Sequence, residues 1–247
     1  MYLLGRLVRI VRYGVGPGAR ERKRAAKRRR KLERFGSERW AREGDFARRE
    51  YRSYEDYLQH QSSKLEGIID RLRENDERDF RDFQERFGSC KALAGMRTVL
   101  CLGARLGAEV RALHSLGHFA VGIDLNPGPD NPYVLPGDFH ALVFPDASVD
   151  AVFTNALDHV FELERVVQEV RRLLRAGGVF VTEIEVGYAE GHVPGDFEAM
   201  HWSDSSALLE RIRAAGGFQL EEVRELGETH RGRRRQAVFR KPGEAPR

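Results

Sequence analysis

Cysteine is nearly absent. Cys90 and Cys101 are the two in 247 residues, too few for a disulfide framework or a cysteine-built zinc site on one chain. Their scarcity fits a reducing compartment. Long hydrophobic runs are absent as well. The opening MYLLGRLVRIVRYG is apolar, but Arg6, Arg9 and Arg12 interrupt it. It holds no uncharged stretch of the roughly 18 residues that a membrane span needs, and no unbroken apolar core of a secretory signal. A soluble cytoplasmic protein is the expectation. Hydrophobic residues still reach 41%, enough for a core, while 32% charged residues and a mean hydropathy of −0.53 exclude a membrane-embedded chain.

The charge that is present is unevenly placed. Residues 1–90 carry 24 Lys/Arg against 16 Asp/Glu, and residues 91–247 carry 18 against 22. The net charge of +4 therefore comes from the first third alone. Its extreme is Arg20–Arg34, with ten basic residues against Glu21 and Glu33. Such a run is either a solvated helix face or a contact for a polyanion, nucleic acid or a membrane surface. No aromatic residue interleaves within it, so base stacking gains no support there. Leu3, Leu4, Leu7, Val8, Ile10 and Val11 fall near helical spacing and suit a helix packed on protein or lying at a membrane interface.

Two regimes divide the chain. Over residues 1–90 the spacing predicts a basic helical extension of two or three helices, with Tyr51–Phe87 helical and Gly88 as its stop. The apolar content of Tyr51–Phe87 suggests a homodimer contact. Over residues 91–247 short apolar runs alternate with helical patterns. Strands are expected at Thr98–Leu102, Ala120–Leu125, within Tyr133–Phe139, and at Val149–Thr154, Val179–Val186, Phe218–Leu226 and Gln236–Arg240. Helices are expected at Gly107–Leu116, Leu163–Leu174 and Ser203–Ala215, the last capped by Ser203 or Asp204. Alternation of this kind means an α/β fold, Rossmann-like, with a mostly parallel sheet that binds ligands at its carboxyl edge.

Candidate ligand-binding residues fall at those edges. The turn from Cys101 to Gly107 allows close approach to backbone and opens onto a helix N-terminus. Asp124 ends the second strand, where a carboxylate can accept both hydroxyls of a ribose. Asp138 and Phe139 follow the third, suited to an exocyclic amine and a flat ring.

Four stretches carry a specific resemblance: VLCLGARLG, VGIDLNPG, GDFHALVFPDASVDAVFTNALDHV and LERVVQEVRRLLRAGGVFVTE. Residues 97–186 resemble class I S-adenosylmethionine-dependent methyltransferases of the methyltransferase-11 type. The resemblance implies a seven-stranded sheet closed by a C-terminal β-hairpin. It implies S-adenosyl-L-methionine as cofactor, with Gly103, Ala104 and Gly107 under its methionine moiety and Asp124 on the ribose. Leu125, Asp138 and Phe139 would surround adenine, and Asn155 and Ala156 would lie beneath the sulfonium. Two positions depart from the family: Cys101 stands where an acidic residue is usual, and Arg105 where a glycine is usual. Arg105 is expected to compensate by pairing with the methionine carboxylate.

His159 is a candidate general base with Asp158 beside it, and Tyr188, His201 and Trp202 are candidate substrate walls. Asp158, Glu183 and Glu185 offer oxygen ligands, but Glu183 and Glu185 share a strand face and nothing brings Asp158 to them, so no metal is expected. The leading expectation is an O-methyltransferase acting on a small-molecule or sugar hydroxyl. The alternatives are an RNA methyltransferase using the basic arm and a non-catalytic assembly partner. Against RNA amino methylation, Thr154-Asn-Ala-Leu157 stands where an Asn-Pro-Pro-Tyr-like tetrad would follow the fourth strand.

Overall fold

The computed structural model describes residues 40–229 and 232–243, together with Arg22, Ala26 and Arg29, which are helical. The amphipathic opening and most of the basic run lie outside the described residues.

A seven-stranded sheet forms the centre, in the order β5-β4-β3-β6-β7-β10-β9. Its strands are β3 (Thr98–Leu102), β4 (Phe119–Asp124), β5 (Val134–Pro136), β6 (Val149–Thr154), β7 (Leu174–Glu185), β9 (Gln219–Thr229) and β10 (Gly232–Arg240). Strands β3 to β7 pair in parallel, and β10 runs antiparallel between β7 and β9. The Rossmann-like expectation and the seven strands are met. The apolar runs read as strands because a parallel sheet is buried on both faces. In β3, Leu100 and Leu102 join the core on one face, while Val99 and Cys101 join the core on the other.

Helices cover both faces. On the first lie α4 (Leu163–Leu173) and α5 (Ser205–Gly216), whose Val166, Val167, Val170 and Leu173, then Leu208 and Ile212, recur at helical spacing and are buried. Asp204 caps α5 by accepting from the Ala207 amide at 3.1 Å. On the second face lie α2 (Lys64–Gly88) and α3 (Ala108–Ser115). Phe83 and Phe87 of α2 meet Phe153 of β6 edge-on, with centroids 5.8 and 4.8 Å away. Helix α1 (Tyr54–Ser62) precedes α2 and is capped by Ser53, whose Oγ accepts from the Asp56 amide.

Among the described residues before 90, α1 and α2 agree with the expected helices, but the expectation missed a hairpin. Strands β1 (Trp40–Glu43) and β2 (Phe46–Arg49) pair antiparallel, and β2 pairs in turn with β8 (Met200–Trp202). The second partner of β2, strand β8, lies some 150 residues away, so no local pattern could announce the three-stranded sheet. Some of the apolar residues of Tyr51–Phe87 that suggested a dimer are spent within the chain, while Leu58, Ile68, Ile69 and Leu72 stay half-buried. Tyr57, Leu65, Phe83 and Phe87 are buried against its own body. Among the described residues no helix is long and apolar enough to cross a membrane.

Phe87 is the keystone of the α2 contact. Phe87→Ala is expected to cost about 3–5 kcal/mol of unfolding free energy, the usual loss for a buried aromatic. Denaturant titration checks this, and a loss below about 1 kcal/mol would show α2 to be only loosely attached.

Candidate active site

The site is built at the carboxyl edge of the parallel strands. Gly103, after β3, has φ +74°, and a Cβ there would come within 2.6 Å of the Ala156 Cβ. Only glycine leaves this floor open. Arg105 adopts φ +46°, a left-handed conformation that ordinary side chains pay about 1–2 kcal/mol to hold. That explains the family's glycine at this position. The strained backbone is held by Asp124, whose Oδ2 accepts from the Arg105 amide at 2.9 Å while Oδ1 accepts from the Asn126 amide at 2.9 Å. Burial pushes the Asp124 carboxyl above its usual pKa, against the pull of these two amides and of Arg105 and Lys64.

A cavity of about 500 Å³ opens beside this loop. Gly103, Arg105, Asp124, Leu125, Phe139 and Ala156 form its sheet side. Tyr57, Gln61, Lys64, Leu65 and Ile68 close it from α1 and α2, with His159 at one end. A shallower recess continues the loop side, lined by Ala104, Gly107, Asn155, Asp79 and Glu109. A larger polar cavity of about 1460 Å³ adjoins, lined by residues including Arg71, Arg78, Asn155, Asp158, Glu198 and Arg234. Lys64, Ile68, Arg105 and His159 line both main cavities and so mark the seam between them.

Four contacts hold α1 and its junction with α2 over the strand ends. The Tyr54 hydroxyl donates to Asp138 Oδ2. The Tyr57 hydroxyl donates to the His159 carbonyl at 3.0 Å, Gln61 Nε2 to the Phe197 carbonyl at 2.8 Å, and Asn126 Nδ2 to the Ser62 carbonyl at 2.9 Å. The Tyr54 phenol is pushed well above its ordinary range by burial and by Asp138. Asp138 itself stays below its usual value. Burial opposes its ionisation, but donation from His140 and Tyr54 outweighs that. His140 Nδ1 donates to Asp138 Oδ1 at 2.8 Å, and its Nε2 accepts from the Phe161 amide at 3.1 Å.

The seam holds a second histidine with a fixed tautomer. His159 Nδ1 lies 2.8 Å from the Phe197 carbonyl, which can only accept, so Nδ1 carries the proton. Its Nε2 then accepts from Lys64 Nζ at 2.6 Å. Burial, with Lys64 and Arg105 nearby, holds His159 below its ordinary pKa. Asp158 Oδ2 sits 3.6 Å from the same ring. Burial opposes its charge, yet His159, Lys64, Arg234 and His192 keep its pKa low. Lys64 itself is pushed down to about 7, chiefly by burial and then by Arg105.

The expected cofactor residues Gly103, Ala104, Arg105, Gly107, Asp124, Leu125, Phe139, Asn155 and Ala156 thus line the cavity and its recess. Asp138 stands behind them, engaged by Tyr54 and His140. His159 stands at the seam, and Asp158 lines the larger cavity beside it. Tyr188, His201 and Trp202 line neither main cavity. Their expected role as a substrate wall gains no support from these two cavities. Trp202 is 1% exposed and donates its indole N–H to the Glu185 carbonyl at 3.2 Å, so it belongs to the core. His201 is also buried, packed between Tyr188 and His192, with ring centroids 5.4 Å from each. Between Glu183 and Glu185 sits the Arg234 guanidinium, 3.9 and 2.8 Å from their carboxylates. Sequence reasoning missed Lys64, Tyr57 and Gln61. Nothing local distinguishes them from helix surface, because their partners lie about 95 to 136 residues on.

Comparison with known proteins agrees with this geometry. Residues 100–182 match the methyltransferase-11 family, a methyltransferase domain. A sterol 24-C-methyltransferase of Gibberella zeae is 35% identical over 79 residues, which are 30% of this chain and 21% of that enzyme. The chain therefore spans about a fifth of the length of this curated relative. Among solved structures, the Burkholderia thailandensis 1,6-didemethyltoxoflavin-N1-methyltransferase, determined with bound 1,6-didemethyltoxoflavin and S-adenosylhomocysteine, superposes with a TM-score of 0.62. It is 17% identical and covers 80% of this chain and 95% of its own. A Haloferax volcanii methyltransferase in complex with the Trm112 methyltransferase activator gives 0.57 at 19% identity, covering 76% and 100%. Residues 100–182 thus resemble a methyltransferase domain of the methyltransferase-11 type, and the chain has the Rossmann-like α/β fold of S-adenosylmethionine-dependent methyltransferases.

The open floor at Gly103 is the feature least tolerant of change. Gly103→Ala is expected to weaken S-adenosylhomocysteine binding at least about tenfold and to cost about 1–2 kcal/mol of stability, from the left-handed φ and the clash with Ala156. Unchanged affinity and melting temperature would show that the loop relaxes away from this conformation.

Proposed function

We propose that the chain is an S-adenosylmethionine-dependent O-methyltransferase whose acceptor is a hydroxyl of a small molecule or sugar. The supporting observation is the seam. A cavity with a glycine floor, a carboxylate and an aromatic wall meets a larger polar one, and Lys64, Arg105 and His159 stand where they join.

The residues present suit the cofactor. The space above Gly103 is one that a Cβ would fill, and the buried carboxylate of Asp124 lines the same cavity as the aromatic face of Phe139. In this reading Gly103, Ala104, Arg105 and Gly107 hold the methionine end, and Asp124 accepts the ribose hydroxyls. Leu125, Asp138 and Phe139 frame adenine, and Asn155 and Ala156 lie beneath the sulfonium. When bound, the cofactor supplies the methyl group for in-line displacement by the acceptor oxygen. The chain's main task is to hold the reacting atoms roughly 3–3.5 Å apart and aligned. Tyr57, Gln61 and Ile68 cover the first cavity and exclude water. An oxygen acceptor is favoured by the lining of the larger cavity, where cations (Arg71, Arg78, Arg234) alternate with carboxylates (Asp79, Asp158, Glu198). Hydroxyl groups both donate and accept, and so satisfy such a mixed wall.

Calorimetric titration with S-adenosylmethionine and S-adenosylhomocysteine tests the cofactor half. Micromolar binding is expected. Asp124→Ala should weaken it about ten- to a hundredfold, the worth of a charged hydrogen bond, and Arg105→Ala about tenfold. No binding to the wild-type chain would refute the reading. Transfer of labelled methyl to a panel of hexoses and phenols tests the acceptor half, and label arriving only on amines would refute O-methylation.

A further inference from the structure

The geometry points to Lys64 as the catalytic base of this chain, the group that takes the proton from the acceptor hydroxyl as the methyl group is transferred. This rests on the methyltransferase reading above and names a residue outside the stretch that matches the family, residues 100–182.

Three observations carry it. First, position: a group that serves the reaction must reach both the methyl donor and the acceptor. Among the residues lining both cavities, Ile68 cannot titrate and Arg105 is permanently charged, which leaves Lys64 and His159. Second, occupancy: the His159 ring has its Nδ1 proton on the Phe197 carbonyl and its Nε2 lone pair on Lys64. The imidazole therefore orients the amine rather than receiving a proton from the acceptor. Third, charge state: Lys64 opens α2, where the positive end of the helix dipole disfavours an ammonium. Its surroundings come from several elements. His159 and Asp158 follow β6, Arg105 follows β3, Asp124 ends β4, and Glu198 precedes β8. Burial and Arg105 lower the amine's pKa to about 7, and the three carboxylates only partly oppose this. The Phe197 ring flanks Nζ at 5.6 Å.

A neutral Lys64 donates one N–H to His159 Nε2 and keeps its lone pair for the acceptor. In the transfer the acceptor O–H bond breaks and its proton passes to Lys64, which becomes an ammonium. The acceptor oxygen forms its bond to the methyl carbon as the carbon–sulfur bond breaks, and that electron pair remains on sulfur. The ammonium then loses its proton to solvent through the polar cavity. Asp158 lies near enough to the seam to favour the cation as it forms.

The test is competitive acetylation of the full chain with acetic anhydride across pH 5 to 11, read by peptide mass spectrometry, with exposed Lys91 as internal comparison. Lys64 is expected to reach half its maximal reactivity near pH 7, and S-adenosylhomocysteine should shield it. A midpoint above about 10, the ordinary lysine value, overturns the proposal. Lys64→Met and Lys64→Arg should still bind S-adenosylhomocysteine measurably by calorimetry. Both should lose methyl transfer to the best hexose or phenol acceptor by about a hundredfold or more. The rise in wild-type rate through pH 7 should vanish with them. Variants that retain the rate and its pH profile also overturn it. Wild-type binding of S-adenosylhomocysteine combined with an ordinary Lys64 midpoint defeats the base assignment alone. Failure of the wild-type chain to bind defeats the methyltransferase reading itself.

Discussion

The site depends on α1 being clamped across the carboxyl edge of the sheet. Strand ends and their loops do not make a closed cavity by themselves. Here the loop after β4 donates to the Ser62 carbonyl, the residues after β5 receive the Tyr54 hydroxyl, and the turn after β6 receives the Tyr57 hydroxyl. The segment before β8 receives Gln61. Four separate parts of the chain thus converge on one nine-residue helix. The clamp is also apolar. Tyr57 is 0% exposed, and its ring lies 5.1 Å from Phe161 and 5.6 Å from His140. Each hydrogen bond contributes only about 0.5–1.5 kcal/mol, so the buried aromatics carry most of the attachment and the polar contacts set its register.

The clamp brings a cation into a place already crowded with charge. Lys64 follows directly from α1 and cannot avoid the seam once α1 is seated. It meets Arg105, whose left-handed backbone is itself pinned by Asp124. Two cations here would repel each other at low effective dielectric. The carboxylates of Asp124, Asp158 and Glu198 relieve part of this, and burial with what repulsion remains lowers the Lys64 pKa to about 7. The departure at Arg105 and the chemistry at Lys64 are therefore two consequences of one electrostatic arrangement.

The central sheet was readable because its signals are local. Parallel strands buried on both faces appear as short apolar runs, and α4 shows its arginines outward and its valines inward within eleven residues. The residues on the sheet side of the cavity were readable because each sits at or just after the end of such a run. What escaped depends on distance along the chain. The β1–β2 hairpin is highly charged and is completed by β8, far downstream. Trp202 looked like a free aromatic surface, but its indole N–H finds the Glu185 carbonyl and the ring completes the core. Lys64 looked like one more charge on a polar helix. Only the contact with His159, 95 positions later, sets it apart.

Hydrogen–deuterium exchange with and without S-adenosylhomocysteine tests the dependence of the site on its clamp most directly. Bound ligand should protect the amides of residues 54–72 together with those of residues 103–107 and 124–126, since these three segments border the cavity and its recess. Protection confined to the strand-end loops, with residues 54–72 exchanging as in the free chain, would contradict the account and leave α1 a bystander.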